Sequence, residues 1–288
     1  RSTSNGVTNP EAMVGMIVSI PAAASRRRPS ANQWFPAICR LRSRVIECNS
    51  LKKSKEIKVE DRLRRAESSS IQGVIEETAT NIANVVKRSN KIYSNSINGL
   101  AKQALDSLKK NKKQGNKLAL EIEDLREHTF YFIKNLEEAH IGASNFYINI
   151  MGYLTDMSQS LEYIGKVSYN HVQNNHKKLK YNQIKELKEI DHKLEEIFNS
   201  TQKAFEEKSF EQIGAILDSK QELYDLVSQK IDIQVSRTRT EESSPKNTTL
   251  YFSLLLETRD LITAMMNLLE QYYREHDSTV QPATIEKK

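Results

Sequence analysis

The carboxylates best suited to chemistry in this sequence lie in two stretches of matching pattern. Asp156 and Glu162 lie in the first stretch, and Glu257 and Asp260 lie in the second. Carboxylate oxygens at related positions of a repeat suit hard divalent cations such as Mg, Ca, Mn or Fe. We predict no cofactor; if a divalent metal binds, these four residues are its candidate ligands. The alternative is that they mark polar helix faces or hydrogen-bond between helices.

The rest of the sequence offers little for catalysis. No His-Glu-x-x-His motif occurs, and no glycine-rich phosphate loop occurs in the helical part that begins near residue 71. The closest pair of histidines, His171 and His176, is five residues apart, which is about 140° around a helix. We therefore predict a protein that is not an enzyme and has no catalytic residues.

Lysines form two clusters that are candidates for contact with a membrane surface. One lies near the N-terminus, and apolar periodicity places the other at the turn between the first two helices. Such a run either is a solvated turn that complements the negative end of a helix or contacts anionic lipid headgroups. The candidate residues are Lys52, Lys53, Lys55, Lys109, Lys110, Lys112 and Lys113.

The net charge of +6 is unevenly distributed along the chain. Residues 1–70 hold fourteen Lys and Arg against six Asp and Glu, so the remaining chain is slightly acidic. Both cysteines, Cys39 and Cys48, lie in this basic segment, and their absence elsewhere favours a reducing compartment. This distribution is typical of a basic flank beside a membrane, and we predict no nucleic-acid partner.

Membrane-spanning segments are not predicted. No stretch reaches the roughly 18 apolar residues that a spanning helix needs. The best apolar run, from Met13 to Ala24, is interrupted by Gly15, Ser19 and Pro21. As written, the chain is expected to be soluble.

Long helices are expected because no proline occurs between Ala37 and Ser244 and glycines are few. Ser209, followed three residues later by Gln212, predicts a capping box at the start of the fifth helix. The sixth helix is the most apolar and is expected to be central. The predicted helices run from Ile71 to about Lys110, Gln114 to Glu138, Ser144 to Asn174, Tyr181 to Lys208, Ser209 to beyond Ile231, and Asn247 to His276.

An internal repeat relates the third and sixth helices. A shift of 104 residues aligns Tyr147 with Tyr251 and Asp156 with Asp260. The pattern predicts an all-α fold of two antiparallel three-helix bundles related by internal duplication. The expected divisions are an irregular or juxtamembrane-like basic segment at 1–70, bundles at 71–177 and 178–276, and a disordered tail at 277–288.

The inner-helix stretches 142–179 and 247–273 resemble a known family. They look like the corresponding helices of the PhoU-like domain that follows the membrane part of some bacterial PiT-family inorganic phosphate transporters. The resemblance covers about residues 70–275. Residues 161–165 match much of an acidic sequence motif of the family, but Lys166 replaces the final Asp of that motif. The residue equivalent to Lys166 in the second repeat is Glu270.

The resemblance implies a non-catalytic regulatory module on the cytoplasmic face of the inner membrane. The parent carrier would couple phosphate entry to a cation gradient. Its implied partner is the membrane part of that transporter, with anionic lipid and a second copy of the chain as further expected partners. The alternative is a helical scaffold or coiled-coil adaptor unrelated to phosphate.

Overall fold

The computed structural model describes residues 71–134, 141–239 and 244–276. Within these ranges the chain is helical and contains no strand. The predictions for residues 1–70 and 277–288, including Lys52, Lys53 and Lys55, lie outside the described residues. The helices are α1 (Ile71–Lys102), α2 (Leu105–Lys134), α3 (Ile141–Gln173), α4 (Tyr181–Glu206), a 3-10 turn (Phe210–Gln212), α5 (Ile213–Asp218), α6 (Lys220–Arg239) and α7 (Pro245–His276).

The turn between α1 and α2 comes about eight residues earlier than predicted. Gln103 adopts a left-handed conformation with φ 53°, and the amide of Ala104 donates to the carbonyl of Gly99 at 2.9 Å. A Cβ on Gly99 would lie 2.5 Å from Leu108, so glycine is needed for this close approach. The prediction of a turn near residue 111 is therefore wrong, and the lysine run lies within α2.

The fifth predicted helix is also broken. Ser209 precedes a 3-10 turn and its side chain makes no cap bond to the backbone; it meets the side chain of Gln212 at 3.1 Å instead. A second break falls at Ser219, whose hydroxyl donates to the carbonyl of Ile216 at 2.6 Å. Serine side chains compete in this way with helical backbone bonding. The predicted capping box and continuous helix are therefore wrong.

The two repeats associate through their inner helices. α1 packs on α4 and α3 packs on α7, whereas α2 packs on α1 and α3, and α6 packs on α4 and α7. Asn90 meets Asn199 at 3.2 Å and Ser94 donates to Asp191 at 2.6 Å, so α1 and α4 are antiparallel. Buried residues of both repeats form one apolar core, and the prediction that the last helix is central is confirmed.

The duplication extends over the whole described chain. The ends of α1 and α4, at 102 and 206, are 104 residues apart, and so are the starts of α3 and α7, at 141 and 245. α6 ends at 239, 105 residues after the end of α2 at 134. The predicted all-α fold of two related three-helix bundles is confirmed, and the exact boundary at 177/178 stays a prediction.

None of the described helices combines the length and apolar character needed to cross a bilayer.

Candidate functional site

The inner helices α3 and α7 cross in an antiparallel arrangement. The rings of Phe146 and Tyr272 lie 5.0 Å apart, and the side chains of Ser160 and Glu257 are hydrogen-bonded. As residue numbers rise along α3, the numbers of the facing residues fall along α7. This crossing leaves an open groove of about 520 Å³ on the surface between the two helices.

The groove is lined by equivalent positions of the two repeats. Each of four lining residues of α3 has its partner 104 residues later among the lining residues of α7. Glu257 is the one further lining residue. The four pairs are Asp156 with Asp260, Gln159 with Thr263, Ser160 with Ala264, and Tyr163 with Asn267.

The groove therefore lies on the pseudo-two-fold axis that relates the repeats. Asp156 and Asp260 occupy the same repeat position and interact across the groove. Two equivalent residues of an antiparallel pair come together only where the symmetry axis passes between the helices. Asp156 and Asp260 are both exposed there, whereas Ser160 is buried at the base.

The electrostatics of the groove disfavour its own negative charge. Partial burial, together with the charge of Asp260, raises the pKa of Asp156 above its usual value. Partial burial also raises the pKa of Glu257, with a hydrogen bond to Ser160 opposing the shift and the charge of Asp260 adding to it. Partial removal from water and the nearby charge of Asp260 both penalise the charged forms of Asp156 and Glu257, so the groove favours a positively charged occupant.

Three of the four candidate metal ligands meet in this groove. Glu162 does not, because its backbone lies against α2, where a Cβ on Gly115 would be 3.6 Å from the Glu162 Cα. In the described ranges, no group of three or more His, Cys, Asp or Glu is arranged to hold a metal ion. Metal binding by Asp156, Glu257 and Asp260 therefore stays a prediction.

The last position of the acidic motif in α3 carries a different residue in each repeat. Lys166 is exposed on α3. Its equivalent Glu270 on α7 accepts a hydrogen bond from Lys220 at 2.7 Å. Neither position lines the groove.

The four candidate lysines of α2 lie along that helix rather than in a turn. Lys109, Lys110 and Lys113 are exposed. Lys112 is half-buried, with its Nζ 4.9 Å from the centre of the Tyr169 ring. Lys109, Lys110 and Lys113 point away from the buried side of α2, whereas the backbone of Lys112 faces α3, where a Cβ on Gly165 would lie 3.6 Å from the Lys112 Cα.

A second polar cluster is confined to the second repeat. Arg237 donates two hydrogen bonds to Glu186, at 2.6 and 2.9 Å, and the Tyr251 hydroxyl donates to the same carboxylate at 2.5 Å. Burial alone would raise the pKa of Glu186. These hydrogen bonds and the charges of Arg237 and Lys230 outweigh burial and hold the pKa below its usual value.

The uncharged groove residues were not anticipated from the sequence. Gln159, Ser160, Tyr163, Thr263 and Asn267 have no individual signature. The 104-residue shift would have found them, since it pairs each α3 position around Asp156 with its α7 counterpart.

Comparison with known proteins finds similarity in fold. No family model and no curated protein matches this chain. PhoU from Pseudomonas aeruginosa has a TM-score of 0.60 at 7% identity, over 70% of this chain and 97% of that chain. The phosphate transport system regulatory protein PhoU from Streptococcus pneumoniae has a TM-score of 0.56 at 12% identity, over 77% and 99%. At these identities the likeness establishes a PhoU fold.

Proposed function

We propose that this chain is a PhoU-like cytoplasmic regulatory domain of an inorganic phosphate transporter. The observation that carries the proposal is the duplicated pair of three-helix bundles, which corresponds to nearly the full length of two PhoU structures. The module is non-catalytic and acts on a cation-coupled carrier at the cytoplasmic face of the inner membrane.

The groove is the surface through which this module meets its carrier. Asp156, Glu257 and Asp260 line it, and none of its described lining residues is basic. A free phosphate ion would meet like charge there, so the groove does not serve as a phosphate pocket. Cytoplasmic loops of membrane proteins carry an excess of Lys and Arg. A basic loop of the transporter therefore has the charge that the groove favours.

The position of the groove suits a regulatory role. Any segment bound there contacts α3 of the first bundle and α7 of the second at once. Binding that favours one relative placement of the two helices biases the whole pair of bundles, because both helices are central to the core.

Phosphate uptake in the cell that encodes the protein tests the proposal. Deletion of the gene is expected to change phosphate uptake or the phosphate-starvation response, and the wild-type gene is expected to restore it. The double variant Asp156→Lys/Asp260→Lys is expected to fold, as judged by circular dichroism, but not to restore regulation. Asp232→Lys, at an exposed position of α6, is the matched control. Uptake and starvation response that do not change on deletion would favour the helical scaffold.

A further inference from the structure

The outward face of α2 carries a charge pattern that is complementary to itself. The face has Leu120 at its centre, 64% exposed and without the burial expected of a large apolar side chain. Positions at steps of four and three on both sides of Leu120 share this face, as in a coiled-coil seam. The seam residues are Asp106, Lys110, Lys113, Lys117, Leu120, Asp124, Glu127, Tyr131 and Lys134.

Opposite charges occupy mirror positions about Leu120. Lys113 lies seven residues before it and Glu127 seven after it. Asp106 lies fourteen residues before it and Lys134 fourteen after it. Reversing the helix direction about Leu120 therefore places each of these four charges opposite a charge of the other sign.

Two further mirror pairs are favourable, and the remaining seam charge, Asp124, mirrors the uncharged Asn116. Lys110 and Phe130 both lie ten residues from Leu120, on opposite sides, and Phe130 is 48% exposed. A lysine over an aromatic ring is a favourable pair. Lys117 and Glu123 lie three residues away on either side; within one chain they already contact Glu121 and Arg126, respectively.

The charges at the principal positions are not used within the fold. Lys113, Glu127, Asp106 and Lys134 form no ion pair with any other part of the chain that the structure describes. α2 packs only on α1 and α3 among the described helices, apart from weaker contacts. Among the described helices no other packs extensively on α2, and the charged residues of its outward face are exposed there.

We propose that two copies of this chain associate through antiparallel packing of α2 on α2, with Leu120 of each copy at the two-fold axis. An isologous interface requires a surface that is complementary to itself, and this face meets that requirement. α2 has 30 residues and is about 45 Å long. A specific interface buries about 1,200 Å² or more in total, which is the area that contact along this length has to reach.

Charge reversal tests the pairing directly. Lys113→Glu and Glu127→Lys are each expected to weaken dimerisation about tenfold or more, because symmetry changes the pair twice in each dimer. The double variant Lys113→Glu/Glu127→Lys is expected to restore it. Lys87→Glu, at an exposed position of α1, is the matched control. Sedimentation of the full chain from about 1 to about 100 μM measures the dissociation constant.

Cross-linking tests the placement of the axis. In a Cys39→Ser/Cys48→Ser background, Leu120→Cys is expected to form a disulfide between copies, because equivalent residues meet only at a two-fold axis. Leu256→Cys, at a position 40% exposed on α7, is the control and is expected to form no disulfide between copies under the same oxidation.

Three outcomes would overturn the proposal. The first is a chain that stays monomeric over the whole concentration range. The second is a dimer that neither charge reversal weakens. The third is a monomer that binds vesicles of anionic lipid through the same lysines, which would assign this face to a membrane surface.

Discussion

The outer helix of the first repeat is packed differently from that of the second. α2 is one continuous helix that follows α3 along much of its length, whereas the equivalent chain is divided into the 3-10 turn, α5 and α6 and follows α7 less closely. Two glycines lie where α2 and α3 approach each other in the first repeat. A Cβ on Gly115 or on Gly165 would lie 3.6 Å from the backbone of the neighbouring helix.

The second repeat has side chains at both of these positions. Ser219 is the equivalent of Gly115 and lies at the break between α5 and α6, and the buried Leu269 is the equivalent of Gly165. A side chain as large as leucine does not fit where a backbone approaches as closely as it does at Gly165. The same architecture is thus maintained by close backbone contact in one repeat and by side-chain packing in the other.

The polar interior differs in the same way. Glu186 and Arg237 form their ion pair in the second repeat, and the positions 104 residues earlier are Ile82 and Ile133. Tyr251 donates to Glu186, whereas the buried hydroxyl of Tyr147 has no hydrogen-bond partner in the described chain. Burial raises the pKa of Tyr147 to about 12. The first repeat therefore shows that the fold tolerates an apolar version of this site.

Replacing Glu186 and Arg237 by the residues found in the first repeat should give the largest changes in the free energy of unfolding. Glu186→Ile is expected to cost about 3 kcal/mol because it removes the carboxylate that accepts two hydrogen bonds from the largely buried Arg237. Glu186→Ile/Arg237→Ile is expected to recover most of that loss, since it recreates the Ile82 and Ile133 arrangement. Urea unfolding measures both. A double variant as unstable as the single one would show that the two repeats are not interchangeable here.

Substitutions at the glycine between α2 and α3 should give the next largest change in the free energy of unfolding. Gly165→Leu is expected to destabilise the chain by about 1–3 kcal/mol because the side chain must displace the backbone of α2. Gly165→Ala should be tolerated, since its Cβ would make ordinary contacts at 3.6 Å or more. Gly152→Leu is the matched control on the same helix, because no atom lies within 4 Å of its Cβ position. Equal losses at both glycines would contradict the close-packing explanation.

The pH dependence of the free energy of unfolding should also distinguish the ion pair of the second repeat from the apolar site of the first. Because the folded pKa of Glu186 is lowered, its pair contributes stability above the usual value of 4.5, and that contribution is lost as the pH falls through 4.5 towards the folded pKa. The Glu186→Ile/Arg237→Ile variant should lack this loss. Unfolding free energies of the two proteins between about pH 6 and about pH 3 test the difference. Parallel curves would show that another group is responsible.

The smallest change in the free energy of unfolding is expected in the groove between α3 and α7, where the two repeats meet. Asp156→Asn should stabilise the chain by about 0.5 kcal/mol at neutral pH, because it removes one of two like charges at an exposed site. The raised pKa of Asp156 means that its penalty is present above the folded pKa and is relieved as the pH falls through it, so the gain should vanish in acid. Asp232→Asn serves as the control, and Asp260→Asn should give less than an additive gain in the double variant.

Much of this organisation could be predicted from sequence because it depends on local pattern. Apolar periodicity located the inner helices, and the 104-residue shift paired Asp156 with Asp260 before any geometry was known. The turn at Gln103 was missed because left-handed helix ends usually carry glycine or asparagine. Gly99, four residues earlier, was the available signal.

Contacts between distant parts of the chain left no such signal. Glu186 is 51 residues from Arg237 and 65 from Tyr251, and each residue type is ordinary on a helix face. Glu162 was grouped with the other acidic residues because the sequence does not show which side of α3 meets α2. Only the packing of the three helices places Glu162 outside the groove.

The short connection between α3 and α4 has a consequence for the history of the two halves. Seven residues, 174–180, join them, and inner helices that cross about a two-fold axis are the geometry of a homodimer. A tether this short maintains an effective concentration of the order of millimolar, whatever the abundance of the protein. In a true homodimer every substitution appears on both sides of the axis. A tethered pair can change one side alone, as it has where Glu186 and Arg237 correspond to Ile82 and Ile133.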